Sequence, residues 1–481
     1  MGCSFFYPLF FEYLCMLKEF RRRFLNMSYR FTTYQPHYAS ILKLSLPIVI
    51  SQLGYILVQF ADNVMVGQYG GDDPLPLAAV SFGVMTSLIF FLAGQGLTLG
   101  LTPLIGELYA QGNKMHAASY LKHSLLLFPL LGVIMVCLQL ALEPLLYHMG
   151  QPVEVVDAAI PYYRMMAYSI FPVLLFSSFK NFLDGVGNTF VPMVMMMLCN
   201  VLNIFLNWVY IGGNLGAPEM GVEGAALATL ISRICMPLLG AAYFIINKKY
   251  RSYTSLFPTI KMGTSDMLSL LKMGGPISAQ MSLESLAFII SSIMMGWFST
   301  AAIGANQIAM TMANTSFMII LALGTAVTIR VSHFYGRRDV DNMSLTAKAT
   351  IYLVLLWNIS AALIFTVFRN EIPLLFTTNE DVLTLASQML IMVACFQIFD
   401  ALQCAGVGIM RGMQDVKMIS WISLLAYIVL NIPVGYLCGI TFGMGPVGLF
   451  VGYIFGLGTA AVLYLVRIKF KLNFFRRTLT T

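Results

Sequence analysis

Charge is what this chain has least of. Only 10% of its 481 residues are Asp, Glu, Lys or Arg. With 58% hydrophobic residues and a mean hydropathy of +0.79, it lacks the polar surface that a soluble protein of this length needs. Five histidines are present, and all of them (His37, His116, His123, His148, His333) fall at the ends of apolar stretches or in connections. There is no HExxH, no GxSxG and no CxxC, so zinc-protease, serine-hydrolase and zinc-ribbon chemistry have no residues to run on. The eight cysteines (3, 15, 137, 199, 235, 395, 404, 438) read as small apolar core residues, and neither a disulfide nor a metal site is expected. The amino-terminal stretch MGCSFFYPLFFEYLCMLKEFRRRF lacks the order of a signal peptide, because its charges follow the apolar run. It also misses the myristoylation pattern at Phe6. An interfacial amphipathic segment, or translation starting at Met27, fits it better.

What is present is hydrocarbon-matched length. Crossing ~30 Å of hydrocarbon takes about 20 apolar residues in a helix, since each backbone amide must be satisfied within its own segment. Twelve such segments can be cut: 43–67, 77–105, 123–143, 158–182, 190–212, 222–246, 273–297, 302–329, 346–368, 382–408, 418–440 and 446–467. The fold class expected is therefore an all-α polytopic membrane protein. All but three of the 28 basic residues fall in connections or span ends reached by an even number of crossings; the exceptions are Arg164, Arg233 and Arg369. The opposite connections carry Asp72, Asp73, Glu154, Asp157, Glu219, Glu380 and Asp381. This asymmetry predicts both termini in the cytoplasm. It makes the net charge of +7 a topology signal with no implication of nucleic-acid binding.

The chain also repeats itself. Pro47 and Gly67 fall on Pro276 and Gly296, Thr102 and Tyr109 on Thr328 and Tyr335, and Gly185 on Gly412. The tripeptide Leu202-Asn203-Ile204 falls on Leu430-Asn431-Ile432. An ordered series at a nearly constant offset predicts duplication of a six-span unit. Six crossings is an even number, so the two copies share orientation and form two pseudo-symmetric six-helix bundles related by an axis along the membrane normal. The expected organisation is a cytoplasmic segment 1–40, a first bundle 41–247, a linker 248–272, a second bundle 273–467 and a basic tail 468–481. Two like-oriented bundles with a long linker suggest a transporter with its substrate site in the cleft between them.

Three carboxylates lie inside expected spans: Asp62, Glu284 and Asp400. One ionised side chain at mid-membrane costs ~2.5–3.5 kcal/mol on insertion scales, so such groups tend to serve transport; the alternative for each is a protonated carboxyl in an interhelical hydrogen bond. Subtracting the repeat maps Glu284 onto Tyr55, two helical turns before Asp62, so the two acids point to the same relative side of their bundles. Asn200, Asn203 and Asn207 form one helical stripe that can partner Asp62, or serve simply as interhelical glue. Gln280 lies one turn before Glu284, and Asn306, Gln307 and Asn314 are expected to line the eighth span. Hard oxygen ligands suit Na⁺ or a proton, with a Na⁺ site possible at Glu284 and Asp400. Arg233 reads as bundle-facing or snorkelling and Lys180 as interfacial.

The stretches FADNVMVG, DGVGNTFVPMV, LNIFLNWVYIGG, MGVEGAALAT, AIGANQIAMTMANTSFMIILALGTAVTIRVSHFYG and FDALQCAGVGIMRGMQD occur in this order between about Ser40 and Arg467. Together they resemble the multidrug and toxic compound extrusion transporters, in the NorM-like branch. That resemblance implies twelve helices in two lobes around a cleft. It further implies efflux of organic cations in exchange for Na⁺ or H⁺, with no other cofactor. Carried over by position, Asp62, Asn203 and Asn207 look like the polar site of the first lobe, and Glu284 and Asp400 like the cation-site carboxylates of the second. Phe396 stands where some NorM-like proteins have Tyr: it keeps a ring face for a cation but has no hydroxyl to ligate Na⁺. Small cationic drugs and membrane lipid are the expected partners of a monomer in the bacterial inner membrane, where efflux would confer antibiotic resistance. A lipid-linked-sugar flippase of the same plan would favour a cationic cleft, and an intramembrane enzyme would need a nucleophile and base that are not seen.

Overall fold

The computed structural model describes the backbone of residues 6–71, 73 and 75–480, and side chains from 33 to 478 within those limits. Asp72, Cys3 and the side chains of Cys15, Lys18, Arg21, Arg22, Arg23 and Arg30 lie outside the described residues. So does the question of an interfacial amino-terminal face.

Twelve helices are long and apolar enough to span a bilayer, and no strand is found among the described residues. They are α1 (Phe6–Gly70), α2 (Leu75–Ala110), α3 (Lys114–Ala141), α4 (Val153–Gly185), α5 (Phe190–Ile211) and α6 (Gly221–Ile246) in the first lobe. The second lobe holds α7 (Thr264–Met295), α8 (Thr300–Gly336), α9 (Val340–Val367), α10 (Glu380–Gly412), α11 (Val416–Thr441) and α12 (Pro446–Thr480). Each expected span has its helix, and most helices run past the apolar stretch. The added turns are polar sequence such as Thr264–Lys272, which hydropathy cannot see but which a helix capped outside the hydrocarbon tolerates.

The pairing of helices repeats between the lobes. Contacts α1 to α5, α2 to α4, α3 to α4, α4 to α6 and α5 to α6 recur as α7 to α11, α8 to α10, α9 to α10, α10 to α12 and α11 to α12. The lobes exchange contacts in the same symmetric way: α1 packs on α8 and α7 packs on α2. The start of α1 therefore belongs spatially to the second lobe. Ile41 is fully buried in a cluster with Ile320, Leu323, Ala349 and Ala401, and His37 Nδ1 lies 2.9 Å from Thr346 Oγ1.

The expected linker 248–272 is ordered. Its first part is a short helix, Lys248–Thr254, whose Tyr250 and Tyr253 are buried against Phe244 and Phe182. The next part is held by Lys122 Nζ, which donates to the carbonyls of Phe257 and Ile260 at 2.7 Å each. The Gly263 amide donates to His123 Nε2 (3.0 Å), and α7 has begun at Thr264. The basic tail continues α12 and packs on the second lobe through Phe475 on Tyr335, Lys471 on Asp415 (3.8 Å) and Arg476 on Asp341 (2.9 Å).

The lobes meet at the face that carries most Lys and Arg. Ser278 Oγ donates to the Ala93 carbonyl (2.7 Å), and His333 Nε2 donates to the Gly185 carbonyl (2.7 Å). Gln414 bonds Glu107. Glycines let the backbones touch: a Cβ on Gly274 would lie 2.0 Å from the Leu97 carbonyl oxygen, and one on Gly96 2.5 Å from Ser278 Cα. Beyond the level of Ala93 and Ser278, toward the other face, no hydrogen bond joins the lobes among the described residues. The cleft is thus sealed at the basic face.

Candidate functional site

In the first lobe, Asp62 is buried between α1, α5 and α6. Asn207 Nδ2 donates to Asp62 Oδ1, and Asn203, with its amide turned to satisfy both ends, donates to the same oxygen at 3.1 Å while accepting from the Thr229 hydroxyl at 3.2 Å. The stripe spacing on α5 makes this possible, since residues four apart share a face. Asn200 belongs to the stripe but faces Gly54 of α1, and its Nδ2 is buried without a partner. Arg233 is buried within the lobe. Its Nη1 donates to Ser169 Oγ (2.6 Å), its guanidinium lies 5.3 Å from the Phe91 ring centre, and its charge acts on Asp62. It is bundle-facing, with no snorkelling toward water.

In the second lobe, Gln280 Nε2 donates to Glu284 Oε2 (2.6 Å) and Gln280 Oε1 accepts from Arg411 Nη2 (2.6 Å). Asp400 is buried within the electrostatic field of Glu284 and has no hydrogen-bond partner among the described residues. The Tyr427 hydroxyl is fully buried beside Glu284 and makes no well-aligned hydrogen bond. None of Asp62, Glu284 and Asp400 forms an ion pair within 4 Å among the described residues; each is met by amides or left open. Glu284 and Asp400 share the second lobe within electrostatic reach of one another, whereas Asp62 stays in its own lobe.

Several expected positions move. Gln307 and Asn314 are exposed, and Asn306 donates to Ser292 on α7 (3.3 Å). Phe396 does not line a polar cavity: it is buried against Tyr453 (5.5 Å between ring centres) and Phe450 (6.1 Å), because the residue four before Asp400 turns into the aromatic core of the lobe. Cys137 and Cys395 are exposed on the helix surfaces and are not core residues. Lys180 is tied to the buried Asp184 (2.9 Å).

Arg411 and Tyr427 were not singled out by the sequence. Arg411 reads as a connection residue because the apolar stretch ends before it, yet α10 runs to Gly412. Asp400, Cys404 and Arg411 fall on one helical stripe, which was the available signal. Tyr427 lies in a π-helical stretch of α11, Leu424–Asn431, a distortion that recurs at functional sites.

With this geometry in place, the relationships are plain. The MatE family model matches residues 47–209 and again 276–437. The two matches start 229 residues apart, the offset that carries Pro47 onto Pro276. Multidrug resistance protein NorM of Photobacterium profundum is 30% identical over 448 residues, spanning 91% of this chain and 96% of that protein. NorM of Vibrio cholerae is 28% identical over 409 residues, spanning 85% and 89%. Among solved structures, a mutant of the Vibrio cholerae MATE transporter VcmN superposes with a TM-score of 0.81 at 22% identity, covering 92% of this chain and 98% of that one. A MOP superfamily transporter from Pyrococcus furiosus gives 0.81 at 21%, covering 92% and 97%. The family model spans both lobes and the NorM proteins align over most of their length. The chain therefore belongs to the MatE family of membrane transporters, the multidrug and toxic compound extrusion proteins, in the NorM-like branch.

Proposed function

We propose that this transporter exports amphipathic organic cations in exchange for Na⁺ or H⁺ by alternating access, with both termini in the cytoplasm of a bacterium and the protein acting as a monomer in the inner membrane. The observation that carries the proposal is the pair Glu284 and Asp400: two carboxylates inside one lobe, the first half-buried and the second buried within the field of the first, with no ion pair within 4 Å among the described residues. Two like charges in a low dielectric call for a cation or a proton between them. Oxygens of Glu284 and Asp400, with the Tyr427 hydroxyl beside them, are hard donors suited to Na⁺, and a proton on either acid relieves the same repulsion. The drug reading draws on the relatives' name, multidrug resistance protein.

The sealed seam corresponds to the state open toward the outside when the basic face is cytoplasmic. In that state the coupling ion enters the second lobe and the drug leaves; loss of the ion to the cytoplasm in the opposite state lets drug reload. Ion and drug must favour different states, or neither could drive the other. Asp62 and its amides supply an acidic, hydrogen-bonding wall in the first lobe for the substrate or for a second ion.

The test is ethidium or norfloxacin transport in proteoliposomes under an imposed Na⁺ gradient, then under a pH gradient. Asp62→Asn, Glu284→Gln and Asp400→Asn are each expected to lower gradient-driven transport by about 5–150-fold, the usual span of coupling energies, while inserting normally. Wild-type rates in all three, or transport indifferent to both gradients, would end the antiport reading.

A further inference from the structure

A second polar site lies at the basic face, outside both carboxylate clusters. A cavity of about 560 Å³ is bounded by the middle of α1, the connection 186–190 and the end of α8, so its walls come from both lobes. Lys43 and Arg330 line it, together with Asn188 and His333, and no carboxylate does. The nearby acids are engaged elsewhere: Asp184 with Lys180, and Asp339 with Asn342. Arg330 lies over Phe334, 4.8 Å from the ring centre, and its Nε is buried with no hydrogen-bond partner. Lys43 has no ion-pair partner within 4 Å among the described residues. His333 spends Nε2 on the Gly185 carbonyl, leaving Nδ1 unbonded.

A half-buried guanidinium with an unsatisfied N–H, facing a second cation across a cavity, is short of an anion. The fork of a guanidinium matches phosphate oxygens, and a lysine adds a point charge. The rest of the wall is mostly apolar, with Leu44, Pro47, Val186 and Phe190 beside Ser40 and Thr189, and Phe190 is 60% exposed at the start of α5. A small hydrophilic anion has no use for such a wall, whereas an amphiphile does. We propose that this cavity binds the phosphate group of an anionic phospholipid from the leaflet at the basic face, seated between Lys43 and Arg330 with its chains along Phe190. Because α1, the 186–190 connection and α8 all touch the occupant, it would hold the sealed seam together.

The full chain is reconstituted in nanodiscs of phosphatidylcholine alone or with phosphatidylglycerol, and in phosphatidylcholine with added inorganic phosphate. Lipid retention is read by native mass spectrometry and stability by the thermal midpoint. Preferential retention of phosphatidylglycerol is expected, weakened about fivefold for each charge removed in Lys43→Gln and Arg330→Gln and largely kept in Arg330→Lys. Stabilisation by phosphatidylglycerol without any by inorganic phosphate supports the lipid. Equal stabilisation by phosphate alone overturns the lipid in favour of a soluble anion. An unchanged phosphatidylglycerol preference in Lys43→Gln, an exposed position that does not disturb the core, overturns the site altogether.

Discussion

A carboxylate held in hydrocarbon needs donors, and this chain supplies them in two ways. Asp62 is met by neutral amides from a neighbouring helix, while Glu284 is met by Gln280 on its own helix, which in turn is held by Arg411. The first arrangement keeps a carboxylate fixed; the second links it to a cation through one rotatable amide. A third acid shows the contrast with water. Glu143, between α3 and α4, accepts from Arg164 Nε (2.8 Å) and Nη2 (2.6 Å), and that bidentate bond holds its carboxyl below the ordinary value of 4.5. A folded-state value lowered in this way contributes stability that is complete above the unfolded value and lost as pH falls through the folded one. Arg164→Gln is therefore expected to lower the thermal midpoint at pH 7 only slightly, because the pair is exposed and screened by solvent. The difference from the parent should shrink as the pH is taken below 4.5; a constant difference in a melting series would contradict this. Asp62, Glu284 and Gln280 were legible because each breaks an apolar run at helical spacing. Arg411 was not, because charge at the end of a run is also what a connection looks like.

At the scale of elements, the sequence shows hydrocarbon and not helix. Spans were legible because backbone in lipid must be helical; polar turns beyond the lipid carry no such demand, so α7 and α8 run well past their apolar stretches. The π-helical stretches Leu424–Asn431 and Leu437–Thr441 in α11 were hidden for a related reason. A wider turn costs only a local shift in hydrogen bonding and leaves no mark in composition. The repeat makes 248–272 a linker long enough to let the bundles rock, yet it is pinned to the first lobe by Lys122. Bonds from an ammonium to carbonyls are worth about 1.5–3 kcal/mol. Lys122→Met is therefore expected to speed amide hydrogen exchange across residues 257–263 by about 10–100-fold and to leave α3 unchanged. Unaltered exchange there would mean that the buried tyrosines and the Gly263–His123 bond hold the segment without Lys122.

For the whole molecule, the duplicated plan explains both how the lobes separate and where they stop. Because α1 packs on α8 as α7 packs on α2, each lobe extends one helix to the other, and motion about the pseudo-two-fold axis loads both contacts alike. Part of the seam at the basic face is backbone on backbone: Gly274 lies on the Leu97 carbonyl and Gly96 on the Ser278 backbone. Such a joint has two arrangements, sealed or apart, since close-packed surfaces do not deform continuously. Gly274→Ala puts a methyl 2.0 Å from the Leu97 oxygen, a distance no packing allows. Overpacking of this kind costs about 1–3 kcal/mol, enough to shift the ratio of sealed to open molecules by about 5–150-fold. Gly275→Ala is the matched control, because nothing lies within 4 Å of its added carbon. With spin labels at Gln111 on the first lobe and Lys417 on the second, pulsed electron resonance should show one short distance in the parent and in Gly275→Ala. A second, longer distance should appear in Gly274→Ala. Identical distributions in all three would mean that the glycine seam does not govern closure at this face.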